Sequence, residues 1–192
     1  MHRRPLLDLL ERYERRHPGE PATARIRALV ERHADCLERH CLPGHVTGSA
    51  WIVSPCGHRV LLTHHRKLGR WLQLGGHVDG DPDVAAAALR EAREESGSDD
   101  LELAREPDGS VVPLDLDVHR IPARGAEPAH EHHDLRFLVW ARSTDIRASA
   151  ESLDLRWVAV DELHRFTDEE SVLRLTRKAA LRAEEPRSST AC

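Results

Sequence analysis

The stretch from Leu74 to Gly97 reads LGGHVDGDPDVAAAALREAREESG, and it decides the fold. It begins as a short strand that runs into a glycine pair, Gly75 and Gly76. Because glycine has no side chain, the backbone can turn sharply there and approach a ligand closely. We therefore expect a binding loop between this strand and the element that follows.

A helix is predicted directly after that loop. Asp81 can cap it, Pro82 suits the first helical position, and Asp83 favours the positive end of the helix dipole. The apolar residues of the segment form a stripe that can pack on a sheet. The helix should continue to Ser96 and stop at Gly97, because glycine is the usual residue just beyond a helix.

Three glutamates share one side of this helix. Glu91, Glu94 and Glu95 stand at i, i+3 and i+4, so their side chains lie within an arc of about 100°. Ala87 lies inside the arc and leaves the carboxylates room to converge. One interpretation is a solvated, salt-bridged helix face. The other is a site for Mg²⁺, which binds through one or two carboxylates together with waters and substrate phosphates.

Taken in order, these residues resemble the box of the Nudix hydrolase family, G-x5-E-x7-R-E-U-x-E-E-x-G-U with U apolar. The matching positions are Gly76, Arg90, Glu91, Ala92, Glu94, Glu95 and Gly97. Two positions depart from the box, since Pro82 stands at its first glutamate and Ser98 at its last apolar residue. Asp79, Asp81 or Asp83 could replace the missing glutamate.

The resemblance implies an α/β fold of the Nudix type, an α/β/α sandwich with a mixed β-sheet. We expect the Nudix domain at residues 43–183, after an N-terminal helical extension at residues 1–42 and before a flexible tail at residues 184–192. The extension contains two amphipathic segments, the second predicted as a helix of about 17 residues. It is expected to cover the sheet or to mediate contacts in a homodimer.

Hydrophobic patterning predicts the other elements of the domain. Strands are predicted at residues 45–53, 59–64, 71–74, 111–121, 134–141 and 155–160. An irregular loop is expected at residues 123–132, and a final helix at residues 169–182, after a short helical turn at residues 161–164.

The resemblance also implies an activity, in which water cleaves a diphosphate that links a nucleoside to another moiety. Mg²⁺, for which Mn²⁺ could substitute, would neutralise charge on the diphosphate oxygens and help to generate hydroxide. Glu94 and Glu95 would bind the metal, with Glu91 as a third ligand or as the acceptor of the water's proton. Arg90 would orient a glutamate of the site, so the implied catalytic set is Arg90, Glu91 and Glu94.

The substrate is expected to touch residues on both sides of the glutamates. The candidates are Gly75, Gly76, His77, Arg70, Glu131 and Asp134. Arg70 ends the basic loop 64–70, which is placed to grip phosphate or is an ordinary charged hairpin loop. The resemblance also makes Glu131 and Asp134, which belong to a polar segment, candidates for a further acid or base outside the box; the alternative is that Asp134 starts a strand and Glu131 is merely exposed.

Four histidines near that segment have two interpretations. His119, His130, His132 and His133 could hold a transition metal, or their imidazoles could contact the phosphate or base of a substrate. They lack a helical H-x-x-x-H pattern and partnered cysteines, which favours the contact with substrate.

Composition limits the partners. The chain has 192 residues and a net charge of −5 with both signs interspersed, which argues against binding to a nucleic-acid polymer. No apolar run approaches the roughly 20 residues that cross a bilayer, so we expect a cytoplasmic protein with no membrane partner and a small, nucleotide-derived substrate. Two other functions stay open: a catalytically weak nucleotide-binding regulatory module, and an isopentenyl diphosphate isomerase-like enzyme.

Overall fold

The computed structural model describes residues 2–149 and 152–183. Its helices are α1 (Arg4–Arg16), α2 (Pro21–Arg32), α3 (Val84–Ser96) and α4 (Glu170–Ala183), with a 3₁₀ helix at Val160–Arg165. Its strands are β1 (Gly44–Val53), β2 (Arg59–His65), β3 (Arg70–Leu72), β4 (Leu74–His77), β5 (Leu101–Leu103), β6 (Asp115–Ile121), β7 (His130–Ala141) and β8 (Ser152–Ala159). The tail predicted at residues 184–192 lies outside the described residues. None of the described helices combines the length and hydropathy that crossing a bilayer requires.

The strands form one mixed sheet. β3, β2, β1, β7 and β5 follow one another in that order, while β4 pairs with β1, β6 with β7 and β8 with β2. The pair of β1 and β7 is parallel, and the remaining pairs are antiparallel. Helix α3 packs on one face of the sheet and α4 on the other. The predicted α/β sandwich with a mixed sheet is confirmed.

Small residues let α3 approach the sheet closely. Ala85 and Ala88 are buried, and at Gly48 of β1 a Cβ atom would stand 3.0 Å from the carbonyl oxygen of Val84. On the opposite face, Trp51 of β1 packs with apolar residues of α4. The core therefore has two layers, and the sheet lies between them.

The N-terminal extension belongs to the core on the α3 side. Apolar residues of α1 and α2 are buried against β1, β6, β7 and α3; they include Leu6, Leu10, Ile26 and Val30. The extension is also joined to α4, because Lys178 donates hydrogen bonds to the hydroxyl of Tyr13 at 2.6 Å and to Glu20 Oε1 at 2.7 Å. The extension thus covers part of the sheet, and its role in a homodimer stays a prediction.

Helix α3 begins later than predicted. Its N-cap is Asp83, not Asp81, and the Asp83 carboxylate accepts a hydrogen bond from the amide of Ala86 at 3.0 Å. Asp81 accepts from the amide of Asp83 at 2.8 Å, which builds a turn ahead of the helix. Pro82 consequently lies outside α3. The other end agrees with the prediction, since Gly97 follows the last turn with a left-handed φ of 61°.

Strand β7 begins earlier than predicted, at His130 instead of Asp134. Its first residues are paired on both sides, with β1 from Gly44 opposite Glu131 and with β6 as far as Ile121 opposite His130. This pairing holds a polar segment in extended form, although its composition is typical of a loop. The predicted irregular loop is therefore shorter.

The remaining differences are local. β6 begins at Asp115, not at residue 111, and Pro113 just before it cannot donate to a ladder. The run at 71–74 divides into β3 and β4. α2 ends at Arg32, because the backbone of His33 is extended with φ −119° and ψ 111°. β5 was not predicted, since three residues are too few for a periodic pattern.

Candidate active site

The glycine pair of β4 lies against the glutamates of α3. The amide of Gly75 donates a hydrogen bond to Glu95 Oε2 at 3.0 Å. At Gly76 a Cβ atom would stand 2.2 Å from Glu91 Oε2, so glycine is what leaves room for this carboxylate. The structure thus brings two predicted substrate-contacting residues together with two predicted metal-binding residues.

The three glutamates differ in their access to solvent. Glu95 is 8% exposed, whereas the side chain of Glu91 is 19% exposed and that of Glu94 is 62% exposed. Exposure to solvent therefore increases from Glu95 through Glu91 to Glu94.

Arg90 joins α3 to β4. Its guanidinium donates hydrogen bonds to Glu91 Oε1 at 2.6 Å and to the carbonyl oxygen of His77 at 3.3 Å. The same group lies 3.6 Å from Glu94 Oε1. The guanidinium is a planar fork with fixed donors, so these contacts suit the orienting role that the family resemblance implies for Arg90, and that role stays a prediction.

The pKa of Glu91 lies above its usual range. Burial is the largest cause, because it disfavours the charged carboxylate; Arg90 opposes this shift, while the negative charges of Glu94 and Asp79 add to it. The arginine alone therefore does not compensate the local negative charge. A bound cation would do so.

Asp79 is the best placed of the three aspartates that could replace the missing box glutamate. Asp81 and Asp83 already accept hydrogen bonds from backbone amides in the turn before α3. Asp79 is exposed, interacts electrostatically with Glu91, and has a left-handed φ of 48° that non-glycine residues rarely adopt.

These residues fit a hard divalent cation. The available donors are carboxylate oxygens, which Mg²⁺ and Mn²⁺ prefer. Two of them, on Glu91 and Glu95, are held at the surface of β4 by the space at Gly76 and by the amide of Gly75. Glu94 stays open to solvent, so a substrate phosphate could bind the same ion from the solvent side.

Asp134 is buried and fully engaged with protein. Its carboxylate accepts hydrogen bonds from Thr47 Oγ1 at 3.0 Å, from Ser49 Oγ at 2.8 Å and from Arg136 Nε at 3.0 Å. These donors explain why a carboxylate with 2% exposure is stable in the core. The contacts account for Asp134 without a substrate.

Two other predicted substrate contacts are held in ion pairs. Glu131 accepts from Arg25 of α2 at 2.8 Å. It alternates with Asp134 along β7, so the two carboxylates lie on opposite faces of the sheet. Arg70 pairs with Glu169, ahead of α4, and the Arg70 side chain stays 64% exposed. Their predicted contacts with substrate stay predictions.

A network of charges lies on the α4 face, along β6 and β7. Its members are Asp115, Asp117, Arg136, Arg174 and Lys178. Asp115 is fully buried and accepts from Arg174 Nη2 at 2.8 Å and from Lys178 Nζ at 2.8 Å. Asp117 accepts from Arg136 at 3.0 Å and from Arg174 at 2.9 Å. Burial raises the pKa of Asp117, but His119 and the two arginines lower it by more, so it is depressed overall.

Histidines continue the same face toward the start of β1. The rings of His45 and His132 lie 4.9 Å apart between centroids, and the ring of His77 lies 5.0 Å from His45 and 5.4 Å from His132. His130 and His119 stand beside them. Burial lowers the pKa of His45 to about 4 and that of His132 to about 2, so both rings are neutral at neutral pH.

His45 and the charge network were not predicted from the sequence. A signal was available, because polar residues alternate along two adjacent strands: positions 115, 117 and 119 in β6, and positions 130, 132, 134 and 136 in β7. Spacing of two in strands places these side chains on one face. His45 could join them only through the register that sets it opposite His132.

Comparisons with known proteins agree with this architecture. The family model for the NUDIX domain matches residues 44–178. A NUDIX-family hydrolase from Clostridium perfringens has a similar structure, with 24% identity and a TM-score of 0.58 over 71% of this chain and 97% of that one. A search of curated proteins gives no significant match.

Two further solved structures resemble the chain. An Ap4A hydrolase from C. elegans is 20% identical, with a TM-score of 0.56 over 72% of this chain and 97% of that one. The dihydroneopterin triphosphate pyrophosphohydrolase of E. coli is 19% identical, with a TM-score of 0.57 over 71% of this chain and 95% of that one. At these identities the likeness concerns the fold.

The match to the NUDIX family model identifies a hydrolase that acts on phosphorus anhydrides, a class that generally uses divalent metal ions. With its NUDIX domain at residues 44–178, the chain belongs to the Nudix hydrolase family. The resemblance found in the box is therefore confirmed.

Proposed function

We propose that the chain is a Mg²⁺-dependent pyrophosphohydrolase, which cleaves the diphosphate linkage between a nucleoside diphosphate and another moiety. The observation that carries this proposal is the contact of the glycine pair with two glutamates, one through the Gly75 amide and one through the space at Gly76. The names of two similar structures, an Ap4A hydrolase and a triphosphate pyrophosphohydrolase, support this substrate class. A cytoplasmic location is proposed with it.

The residues of the chain would divide the work as follows. Glu91, Glu94 and Glu95 would hold the cation, which supplies charge neutralisation on the diphosphate oxygens when it is bound. Glu95 is fixed by the Gly75 amide, and Glu91 by Arg90. These contacts pre-organise two carboxylates before substrate arrives, so little ordering is left for the reaction.

Glu91 has two candidate roles that can be separated. It is either a third metal ligand or the group that accepts the proton of the attacking water. Arg90 is a positioning residue for Glu91, through the 2.6 Å hydrogen bond. Glu91→Gln should weaken Mn²⁺ binding if Glu91 is a ligand. It should leave Mn²⁺ binding intact but abolish turnover if Glu91 accepts the proton.

Asp79 would take the place of the box's first glutamate. Its charge acts on Glu91, and its carboxylate is exposed beside the site. Asp79→Asn should therefore raise the Mg²⁺ concentration needed for half-maximal activity, whereas Asp81→Asn should not. Equal effects of the two variants would contradict this assignment.

The central experiment is a hydrolysis screen across diphosphate classes. Nucleoside triphosphates, ADP-ribose, dinucleoside polyphosphates, coenzyme A and sugar nucleotides would be tested at millimolar Mg²⁺ and alkaline pH. Glu94→Gln should abolish the Mg²⁺-dependent activity without unfolding the protein, because the side chain is exposed and makes no buried contact. Glu102→Gln is the matched control, since Glu102 is an exposed glutamate on β5 that pairs with Arg142.

Three outcomes would redirect the proposal. Retained turnover in Glu94→Gln would contradict the assignment of the metal site. Binding of a nucleotide without turnover would favour the regulatory module, for which the specific observation is Pro82 outside α3 in place of the box glutamate. Isomerisation of isopentenyl diphosphate without phosphate-anhydride cleavage would favour the isomerase-like alternative.

A further inference from the structure

Three histidines from three strands converge on the α4 face of the sheet. His45 lies on β1 opposite His132 of β7, and His77 ends β4 on the other side of β1. The candidate ligand atoms of the three side chains all lie within 4.8 Å of one another. Nitrogens around a tetrahedral ion with metal–nitrogen distances of about 2.0–2.1 Å stand about 3.4 Å apart, so small side-chain rotations bring these three into ligating positions.

The central histidine lacks the partners that burial demands. His45 is 1% exposed, and neither of its ring nitrogens makes an acceptable hydrogen bond to the described part of the chain. The backbone of Cys41 interacts with the ring without reaching that geometry. Buried polar groups are normally satisfied, so a buried imidazole whose ring nitrogens lack well-formed hydrogen bonds indicates that a ligand completes it.

The chemistry of the group distinguishes it from the box. Its donors are imidazole nitrogens, and burial keeps two of the rings in the neutral form that binds metal. Imidazole suits Zn²⁺, Cu²⁺ and Ni²⁺, whereas Mg²⁺ requires oxygen ligands. Arg39 lies near His45 and His77, and its positive charge disfavours the protonated form of both imidazoles.

We propose that His45, His77 and His132 form a second metal site, which binds one transition-metal ion of the Zn²⁺ class and is separate from the carboxylates of the Nudix box. Three protein nitrogens leave a fourth position, which His130 or a small ligand can take, since the His130 ring lies 5.0 Å from His45. The site does not depend on the proposed hydrolytic function, because it uses none of the box glutamates.

The test begins with the full chain, stripped of metal by a chelator and titrated with Zn²⁺ against a competing chromophoric chelator. One Zn²⁺ per chain should bind in the presence of excess Mg²⁺. His132→Ala and His77→Ala should each weaken this binding by at least about 100-fold, since even loss of a supporting contact costs about 10–100-fold. The matched control is His119→Ala, because His119 neighbours His132 but is engaged by Asp117 at 2.9 Å.

The second arm separates this site from the box. Glu94→Gln/Glu95→Gln should lose Mg²⁺-dependent hydrolysis but keep the Zn²⁺ affinity of the unaltered protein. Zn²⁺ binding that disappears in this double variant, or that survives in His132→Ala and His77→Ala, would overturn the proposal. Absence of stoichiometric Zn²⁺ binding by the unaltered chain would also overturn it.

A measurement on the unaltered protein covers the case in which a histidine variant fails to fold. Co²⁺ in place of Zn²⁺ should give the visible spectrum of a tetrahedral nitrogen-rich site and should shift the ring resonances of three histidines in NMR spectra. A Co²⁺ spectrum of octahedral oxygen ligation, without histidine shifts, would reject the site whatever the variants do.

Discussion

The charge network and the histidine group (His45, His77 and His132) occupy neighbouring positions on one face of the sheet, yet they differ in how many hydrogen-bond partners the protein supplies to their buried polar atoms. In the network, fully buried Asp115 receives donors from Arg174 and Lys178 within about 3 Å. In the histidine group, both ring nitrogens of His45 lack a hydrogen bond to the described residues. Burial alone therefore does not reveal a binding site. What distinguishes the two regions is whether the protein supplies the partners itself.

The largest expected effect comes from a substitution that disrupts the charge network. Lys178→Met removes a cation that lies between Asp115, Glu20 and Tyr13, and it leaves a buried carboxylate short of a partner. The free energy of unfolding should fall by about 3–5 kcal/mol, measured by urea denaturation at neutral pH. Arg177→Met, one residue earlier, should change it by less than about 1 kcal/mol because its pair with Glu170 is exposed. If Lys178→Met lost no more free energy of unfolding than Arg177→Met, the charge network would not stabilise the fold.

The next effect is acid sensitivity of the histidine group. His45 and His132 have depressed pKa values in the folded protein, so the folded state resists the protons that the unfolded chain accepts below about pH 6.5. Above pH 6.5 these two histidines should not lower the free energy of unfolding. As pH drops from 6.5 toward 4, the free energy of unfolding should fall by up to about 1.4 kcal/mol per pH unit for each histidine. Chemical denaturation of the protein in EDTA, repeated at each pH, measures this slope.

The matched variant for that experiment is His132→Leu, which removes one titrating group. Its slope between pH 6.5 and 4 should be shallower than that of the unaltered protein. Asp117 does not affect this comparison. Its pKa is depressed, so its contribution to the free energy of unfolding is lost only at lower pH. An unchanged slope would show that the acid sensitivity arises elsewhere.

A third variant tests the boundary between the histidine group and the box. Gly76→Ala places a Cβ atom against the end of the Glu91 side chain and not against backbone, so stability should fall by only about 1 kcal/mol while displacement of this carboxylate lowers hydrolysis by at least about 100-fold. Gly48→Ala is the control, because its Cβ would meet the backbone of α3 at Val84 and Ala88. It should lose about 1–3 kcal/mol of stability, with a smaller loss of activity.

The smallest effect concerns an ion pair that is exposed rather than buried. Arg70→Gln removes the partner of Glu169 and should cost less than about 1 kcal/mol. If Arg70 grips the substrate phosphate, KM should rise several-fold with kcat unchanged. Arg165→Gln, which breaks a similar exposed pair with Glu162, should leave both constants unchanged. An unchanged KM in Arg70→Gln would remove this residue from the substrate site.

Much of the domain was predictable, because its signals are local. The glycine pair, the spacing of the glutamates and the stop at Gly97 lie within 24 residues of one another, and helical periodicity places them correctly. The start of α3 was predicted wrongly, since Asp81 and Asp83 both favour a cap and their choice depends on the turn between them.

The rest required long-range information. His45 meets His132 only because β1 and β7 pair in parallel with one particular register. Lys178 meets Tyr13 across 165 residues of sequence, which no local pattern encodes. Alternation along β6 and β7 indicates that a polar face exists, but it does not say which of its residues find partners and which do not.

The side chains of β4 point alternately to the two faces of the sheet, and this limits insertions and deletions in the chain before Gly76. Gly76 faces α3 and Glu91, and the next residue, His77, faces His45 on the opposite side of the sheet. Deleting or inserting one residue before Gly76 would exchange these directions, sending an imidazole toward the glutamates and a bare backbone toward the histidines. One strand thus positions both the box glycine and a histidine of the proposed second site, so a shift of its register by one residue would misplace both.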